Sequence, residues 1–279
     1  MKNKIIFLIL LIISLFMCFP VVFLMAGSLM GAAELKGYLG PVLAKGEGFV
    51  SWGLLPKYPT LRSYVELLLD SPEFFVMFWN SVKIVLVTIV GQLIVGIAAA
   101  WGFARYKFPH KKLLFTIYIV VMLLPFQVTM LSNYIVLDKL HLLDKLSSVI
   151  LPGIFSTFSV FIMYRFFCNI PEAIIESARI DGASEFRIFF ELGIPLGMPG
   201  IMSAVILQFL EYWNLIDQPL TFIKNKQLWP LSIYLPNVTL ENAPTAFTAS
   251  AVTLIAAIIV FFAGQSYLEQ GIAATAVKE

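Results

Sequence analysis

Long apolar runs alternate along this chain with shorter stretches rich in glycine, proline and charge. A helix needs roughly 20 apolar residues to cross a bilayer's hydrocarbon layer. The first run, Ile5 to Ala26, reaches that length and follows Lys2 and Lys4. It exceeds the apolar core of a signal peptide, so residues 1–26 read as an uncleaved first span with a cytoplasmic start, kinked but not ended by Pro20. Residues 27–73, with Pro41, Gly46, Gly48, Pro56 and Pro59, read as an external loop. Near its end, Leu61, Tyr64, Val65, Leu68 and Leu69 have the spacing of a short amphipathic helix over Thr60 to Leu69, expected at the membrane surface. Residues 74–279 then hold a five-helix core: Phe75 to Ala104, Leu113 to Ile135 with Pro125 inside, Leu146 to Phe167, Ile201 to Leu220 and Thr245 to Tyr267. A loop with Lys224, Lys226, Pro230, Pro236 and Pro244 separates the last two spans. The expectation is an all-α membrane protein with six transmembrane helices.

Composition supports that reading. Charged residues are 13% of the chain and hydrophobic ones 59%, whereas a water-facing domain carries about 25% charged residues. Orientation comes from the run Arg105 to Lys112, where Arg105, Lys107, Lys111 and Lys112 fall within eight positions without an acid. Short basic loops stay cytoplasmic. The neutral loop Leu137 to Lys145 suits the outside, and both termini are then expected inside. No basic stripe with interleaved aromatics points to nucleic acid. Only His110 and His141 are available as histidine metal ligands, and Cys18 and Cys168 read as small packing residues. Gly-x4-Gly-Lys-[Ser/Thr], His-Glu-x-x-His and Gly-x-Ser-x-Gly are all missing, which argues against an ATP-binding chain and against a membrane-embedded enzyme. An ion-coupled secondary transporter is the remaining alternative, but repeated halves with broken helices are not visible.

The segment between the fourth and fifth spans, residues 169–200, is too polar for lipid and too apolar for a free loop. Asn169 can cap a helix that has Pro171 in its first turn. Gly182 stands where a left-handed terminating residue is wanted, and Ser184 can cap a second helix with Glu185 in its first turn. Ile174 and Ala178, with Ile175 and Ile180 less directly, form the apolar side of the first helix, and Pro195 marks the bend into the next span. A helix–glycine–helix elbow of this kind needs a cytoplasmic cover.

The elbow resembles the "EAA" loop of ATP-binding-cassette (ABC) importer permeases: Glu-Ala-Ala, three residues, Gly, nine residues, Ile, one residue, Leu-Pro. Here the pattern reads Glu176-Ser177-Ala178, Gly182, Leu192 and Ile194-Pro195, with Ser177, Leu192 and Ile194 as mild departures. The local form Glu176-x-Ala178-Arg179-Ile180-Asp181-Gly182-Ala183 looks like the carbohydrate branch, that of the maltose and glycerol-3-phosphate permeases. Asn80-Ser81, Ala104-Arg105-Tyr106 with Phe108, Trp213-Asn214 with Pro219, and the tail with Gln265, Gly271 and Ala276-Val277-Lys278 agree with it. The resemblance covers roughly residues 60–279. It departs where Leu215 follows Trp213-Asn214 in place of the usual acid, with Asp217 two positions later, and this weakens inference of the solute.

The resemblance implies a type I ABC importer permease-like fold in a bacterial plasma membrane. It implies a carbohydrate or other polar solute and no cofactor in this chain, since ATP is bound by a partner ATPase dimer. Its further implied partners are a second permease subunit, making a heterodimer, and an external solute-binding protein. The elbow would dock on the ATPase as a coupling helix, with Glu176 making polar contact, Ala178 allowing close approach and Gly182 permitting the turn.

Polar residues in or near the spans are Gln92, Gln127, Asn133, Gln208, Glu211, Asn214 and Asp217. Charge within a bilayer costs about 2.5–3.5 kcal/mol on insertion scales. Gln208, Glu211 and Asn214 share a helix face and can line a solute path or bond between helices. Trp213 beside them is a candidate for sugar stacking, while most aromatics are expected to face lipid or pack. Lys83 is expected to snorkel or pair near an interface.

Overall fold

A computed structural model describes residues 2–43, 49–50, 53, 55–234, 239 and 241–276. Gly46, Gly48, Pro236, Val277 and Lys278 lie outside the described residues. The described secondary structure is helical. Its elements are α1 (Lys2–Ser28), α2 (Ala32–Leu43), α3 (Arg62–Leu69), α4 (Pro72–Arg105), α5 (Lys111–Leu123), α6 (Phe126–Lys139), α7 (Ser147–Ile154), α8 (Thr157–Asn169), α9 (Glu172–Ile180), α10 (Glu185–Ile188), α11 (Ile194–Trp213), α12 (Asp217–Phe222) and α13 (Ala243–Ala276). Five stretches are long and apolar enough to cross a membrane, and a sixth is formed if the bent pair α5 and α6 counts as one span. The expected six-span architecture is therefore met with one span broken.

That break is a correction with a local cause. Leu124 is extended (φ −72°, ψ 125°) and so is Pro125 (φ −66°, ψ 150°). A residue before proline avoids the α region, and proline cannot continue the hydrogen-bond ladder. The expected third span becomes two helices inclined at 104°. Pro20 has no such effect, and α1 runs through it unbroken. Other boundaries differ as well, and the last helix runs to Ala276 rather than Tyr267. The external loop contains an unanticipated helix, α2, which buries Leu35. The fifth span begins far earlier than Ile201, because α10, a π turn at Phe189–Gly193 and α11 follow without a break and end at Trp213. Pro195 directly follows the π turn, and the helix runs on through it, so it does not make the expected bend.

The chain divides into two compact units, with boundaries inside α4 and α13. In the first (1–76 and 234–256), Phe23 meets Phe247 edge-on at 5.7 Å, the Ser28 and Tyr64 hydroxyls bond at 2.8 Å, and Phe74 packs on Tyr234. Most of α1 presents bare apolar side chains, from Ile5 at 56% to Val22 at 52% exposed, as a lipid-facing helix requires.

The second unit (77–233 and 257–279) holds the core that positions the elbow. Its tightest packing joins α8 to α11. A Cβ at Gly197 would run into the Phe167 ring, and one at Gly200 into Phe166, so glycine alone allows this approach. Helices without a hydrophobic drive between them associate through such small-residue contacts. Ala100, Trp101, Met163, Phe167 and Ile201 form the buried centre.

Candidate functional site

The elbow starts where α8 stops. Asn169 is the last residue of α8 rather than the expected cap, and Pro171 (φ −59°, ψ 135°) occupies the cap position of α9 without a side-chain bond. With its fixed φ and no N–H, Pro171 can neither extend α8 nor donate to it. At the other end Gly182 adopts φ +80°. Ala183 N–H bonds the Ala178 carbonyl at 3.0 Å and Gly182 N–H bonds the Arg179 carbonyl at 3.0 Å. This pair of bonds is a Schellman closure. Ser184 then caps α10 by accepting from Arg187 N–H at 3.3 Å, as the sequence predicts.

The buried edge of α9 is a second correction. Ile175 is fully buried, Ala178 packs against the same core, and Ile180 is 85% exposed. The 174/178 and 175/178 pairs both satisfy helical spacing. The neighbours Trp101, Phe167 and Ile188 decide between them, because they sit on the Ile175 side.

The motif residues separate into two sets. Ala178, Asp181, Ala183 and Leu192 line one depression of about 230 Å³, together with Arg187 and Glu191. Glu176 and Ser177 lie outside it and are exposed. Ser177 donates to the Ile174 carbonyl at 3.0 Å, and the Glu176 carboxylate has no hydrogen-bond or ion-pair partner among the described residues. Ile194 packs on the core while Pro195 is exposed.

Ion pairs brace the elbow. Arg179 meets Glu185 at 2.7 Å and Glu172 at 3.6 Å, and the Glu185 hydrogen bond raises the Arg179 pKa further above its ordinary value. Tyr106 donates to Glu185 at 3.4 Å. Arg105, at the end of α4, bonds Glu172 at 2.9 Å and donates to the Phe167 and Ile170 carbonyls, each at 2.6 Å. Sequence reasoning used Arg105 as a marker of orientation and as part of the Ala104-Arg105-Tyr106 resemblance, not as a contact of the elbow. Its basic neighbours in the run hid a side chain that turns inward.

The polar residues at span depth form a second constellation. Gln92 on α4 donates to the Gly153 carbonyl at 2.8 Å and to Gln208 Oε1 at 2.8 Å, and accepts from Ser159 at 3.0 Å. Gln208, fully buried, donates to Glu211 at 2.9 Å. Glu211 borders two cavities of about 400 and 380 Å³, both also lined by Phe126 and Gln218. Asn214 and Asp217 line the second, and Asn133 the first. Asn214 donates to the Leu210 carbonyl one turn back, at 2.9 Å. Trp213 is 3% exposed, stacked on Phe209 at 5.4 Å and edge-on to Phe78 at 6.0 Å. Gln127 reaches Asp217 at 3.4 Å, and Lys83 is exposed.

Comparisons place this arrangement among known proteins. The family described as "binding-protein-dependent transport system inner membrane component" matches residues 92–274. The arabinooligosaccharides transport system permease protein AraQ of Bacillus subtilis (strain 168) is 30% identical over 96% of this chain and 93% of its own length. A probable ABC transporter permease protein of Pyrococcus horikoshii is 33% identical over 74% of this chain and 78% of that one. The sn-glycerol-3-phosphate transport system permease protein UgpE of Pectobacterium atrosepticum is 30% identical over 57% of each. In structure, a chain of a bacterial ABC transporter involved in the import of the acidic polysaccharide alginate matches with a TM-score of 0.79 at 20% identity, over 95% of this chain and 96% of that one.

Proposed function

The chain belongs to the binding-protein-dependent transport system inner membrane component family, and from that premise we propose that it forms half of the pore of an ATP-driven importer, driven through its elbow by a separate ATPase. It is a membrane-embedded permease subunit of an ABC importer of the carbohydrate type. In our reading it catalyses no reaction and holds no cofactor. A second, different permease completes the pore, an ATPase dimer hydrolyses ATP on the cytoplasmic side, and an external binding protein delivers the solute. Both termini face the cytoplasm.

The observation that carries the reading is the elbow. Its Schellman turn at Gly182 leaves Glu176 bare and Ile175 anchored. The outer surface is thus free for a partner while the inner one is fastened to α4, α8 and α11. We assign docking on the ATPase to Glu176, Ser177, Ala178, Asp181, Gly182 and Ala183, and the joint to the span to Leu192, Ile194 and Pro195. ATPase closure moves the elbow, and a packed bundle responds by switching between discrete arrangements rather than by bending.

We assign the solute path to the cavities beside Glu211, with Asn214 at the lining. Gln208 supports the Glu211 carboxylate from behind, whereas Trp213 is buried against Phe209 and Phe78, one residue from Asn214. Carboxylate and amide groups suit the hydroxyls of a carbohydrate, and the arabinooligosaccharide name of the B. subtilis relative favours a short oligosaccharide.

Reconstitution of this chain with its companion permease, ATPase and binding protein in vesicles tests the proposal. ATP hydrolysis should rise only when all components and the solute are present, and labelled arabinotriose should accumulate only with ATP. Accumulation that proceeds without ATP and follows a proton or sodium gradient would overturn the reading.

A further inference from the structure

Arg105 does more than mark the cytoplasmic side. Its side chain is only 7% exposed, although it opens a basic run in which Lys107 and Lys112 are exposed and Lys111 is half-buried. From α4 it reaches three separate points: two backbone carbonyls and one carboxylate. It bonds the Phe167 carbonyl in the last turn of α8, the Ile170 carbonyl in the linker, and the Glu172 carboxylate in the first turn of α9. Its guanidinium lies 5.5 Å from the ring centre of Trp101, one turn back on α4. That ring contacts Phe167 of α8 edge-on at 5.3 Å and Phe189 of the π turn at 5.7 Å. A Cβ at Gly193 would come within 2.7 Å of the same ring.

We infer that Arg105 is a positioning residue that latches the elbow to α4 and α8, so that a displacement of α9 becomes a displacement of the spans. This rests on the coupling role proposed above for the elbow. Helix α9 is joined to α8 by two residues, Ile170 and Pro171, both in extended conformation. Two such residues form a hinge unless something spans them. Arg105 spans them, with one guanidinium nitrogen on carbonyls before and within the joint and the other on the carboxylate after it. The carbonyls at the end of α8 carry the negative pole of its dipole, which favours a cation there. A planar fork with several donors can serve all three acceptors at once, whereas a lysine ammonium is a single point charge on a flexible stem. Trp101 continues the latch on its inner side, pressing on the π turn that leads into α11. A π turn is rare and occurs frequently at functional sites, and here it places Gly193 flat against the Trp101 ring.

The test uses the complete importer in vesicles, with Arg105→Lys and Arg105→Gln compared to the unaltered chain. Four quantities are read: the ATPase retained by the membrane complex, its basal hydrolysis, hydrolysis with loaded binding protein, and labelled arabinotriose taken up per ATP. Both variants should retain ATPase and basal hydrolysis. Uptake per ATP should fall about tenfold, the size of a typical coupling between sites, and added ATPase should not restore it. Unchanged uptake per ATP in both variants overturns the latch. So does a loss that excess ATPase repairs, since Arg105 would then belong to the docking surface. If the glutamine form fails to insert, the lysine form decides, because it keeps charge and stem. ATP-independent uptake by the unaltered chain would instead remove the coupling reading on which the latch rests.

Discussion

The elbow and the glutamine network at span depth both hold helices together with polar side chains, but by opposite means. The elbow uses charges at the surface. Arg179, Glu172 and Glu185 are each at least 40% exposed, and exposed pairs contribute little individually. What makes the elbow definite is backbone geometry, the left-handed Gly182 and the Ser184 cap, with Ile175 as its apolar anchor. The network around Gln208 centres on two neutral amides with almost no exposure, Gln92 and Gln208, and meets a carboxylate, Glu211, only at its exposed edge, with each donor paired to an acceptor on another helix or one turn away. A segment proposed to dock on a partner keeps these charges in water. Helices that must stay in register across a bilayer bury amides, which are less costly there than ions.

Three substitutions sharpen or break this comparison. Gly182→Pro should have the largest effect. Proline is confined to φ near −65°, so it cannot take the +80° of the turn. The chain should insert normally while ATP-driven uptake falls about a hundredfold, the upper range of site-to-site coupling. Normal uptake would remove the elbow from the coupling path. Gln208→Leu should come next. It deprives Gln92 of one acceptor and Glu211 of its donor. Stability in detergent, read from thermal or denaturant unfolding, should fall by about 1–2 kcal/mol on the scale of interhelical hydrogen bonds. Uptake should fall less than for Gly182→Pro. An unaltered unfolding midpoint would mean that the amides do not hold the register. Ser184→Ala should be smallest, about 0.5–1 kcal/mol for a lost cap, seen as faster amide exchange confined to α10 and with uptake close to normal. A large loss of uptake from this change would place the cap itself in the coupling path.

The two regions were not equally legible in the sequence. The elbow's turn chemistry is local: Gly182 and Ser184 act on their own backbone within a few residues, so composition and spacing reveal them. The cap of α9 was read at Asn169, two positions before Pro171, because nothing local shows that Asn169 still belongs to α8. The seven polar residues near the spans were visible from the start. Which of them bond to each other depends on the packing of α4, α7, α8 and α11, and no periodicity carries that information. Arg105 was hidden for the same reason, since its three acceptors lie on segments distant in sequence.

By itself the sequence determined that this chain crosses a membrane several times, that it carries one short basic run without an acid, and that a glycine-turned elbow with a family signature follows the fourth span. These properties come from hydrophobic length, charge bias and turn stereochemistry, each set within a short window. Tertiary structure alone decided that Ile175 rather than Ile174 is the anchor, that Gln208 is buried behind Glu211, and that Arg105 bonds both sides of the joint between α8 and α9. Each of those depends on which distant surfaces meet. A buried donor or side chain is committed only when its acceptor or its cavity has been assembled from several helices.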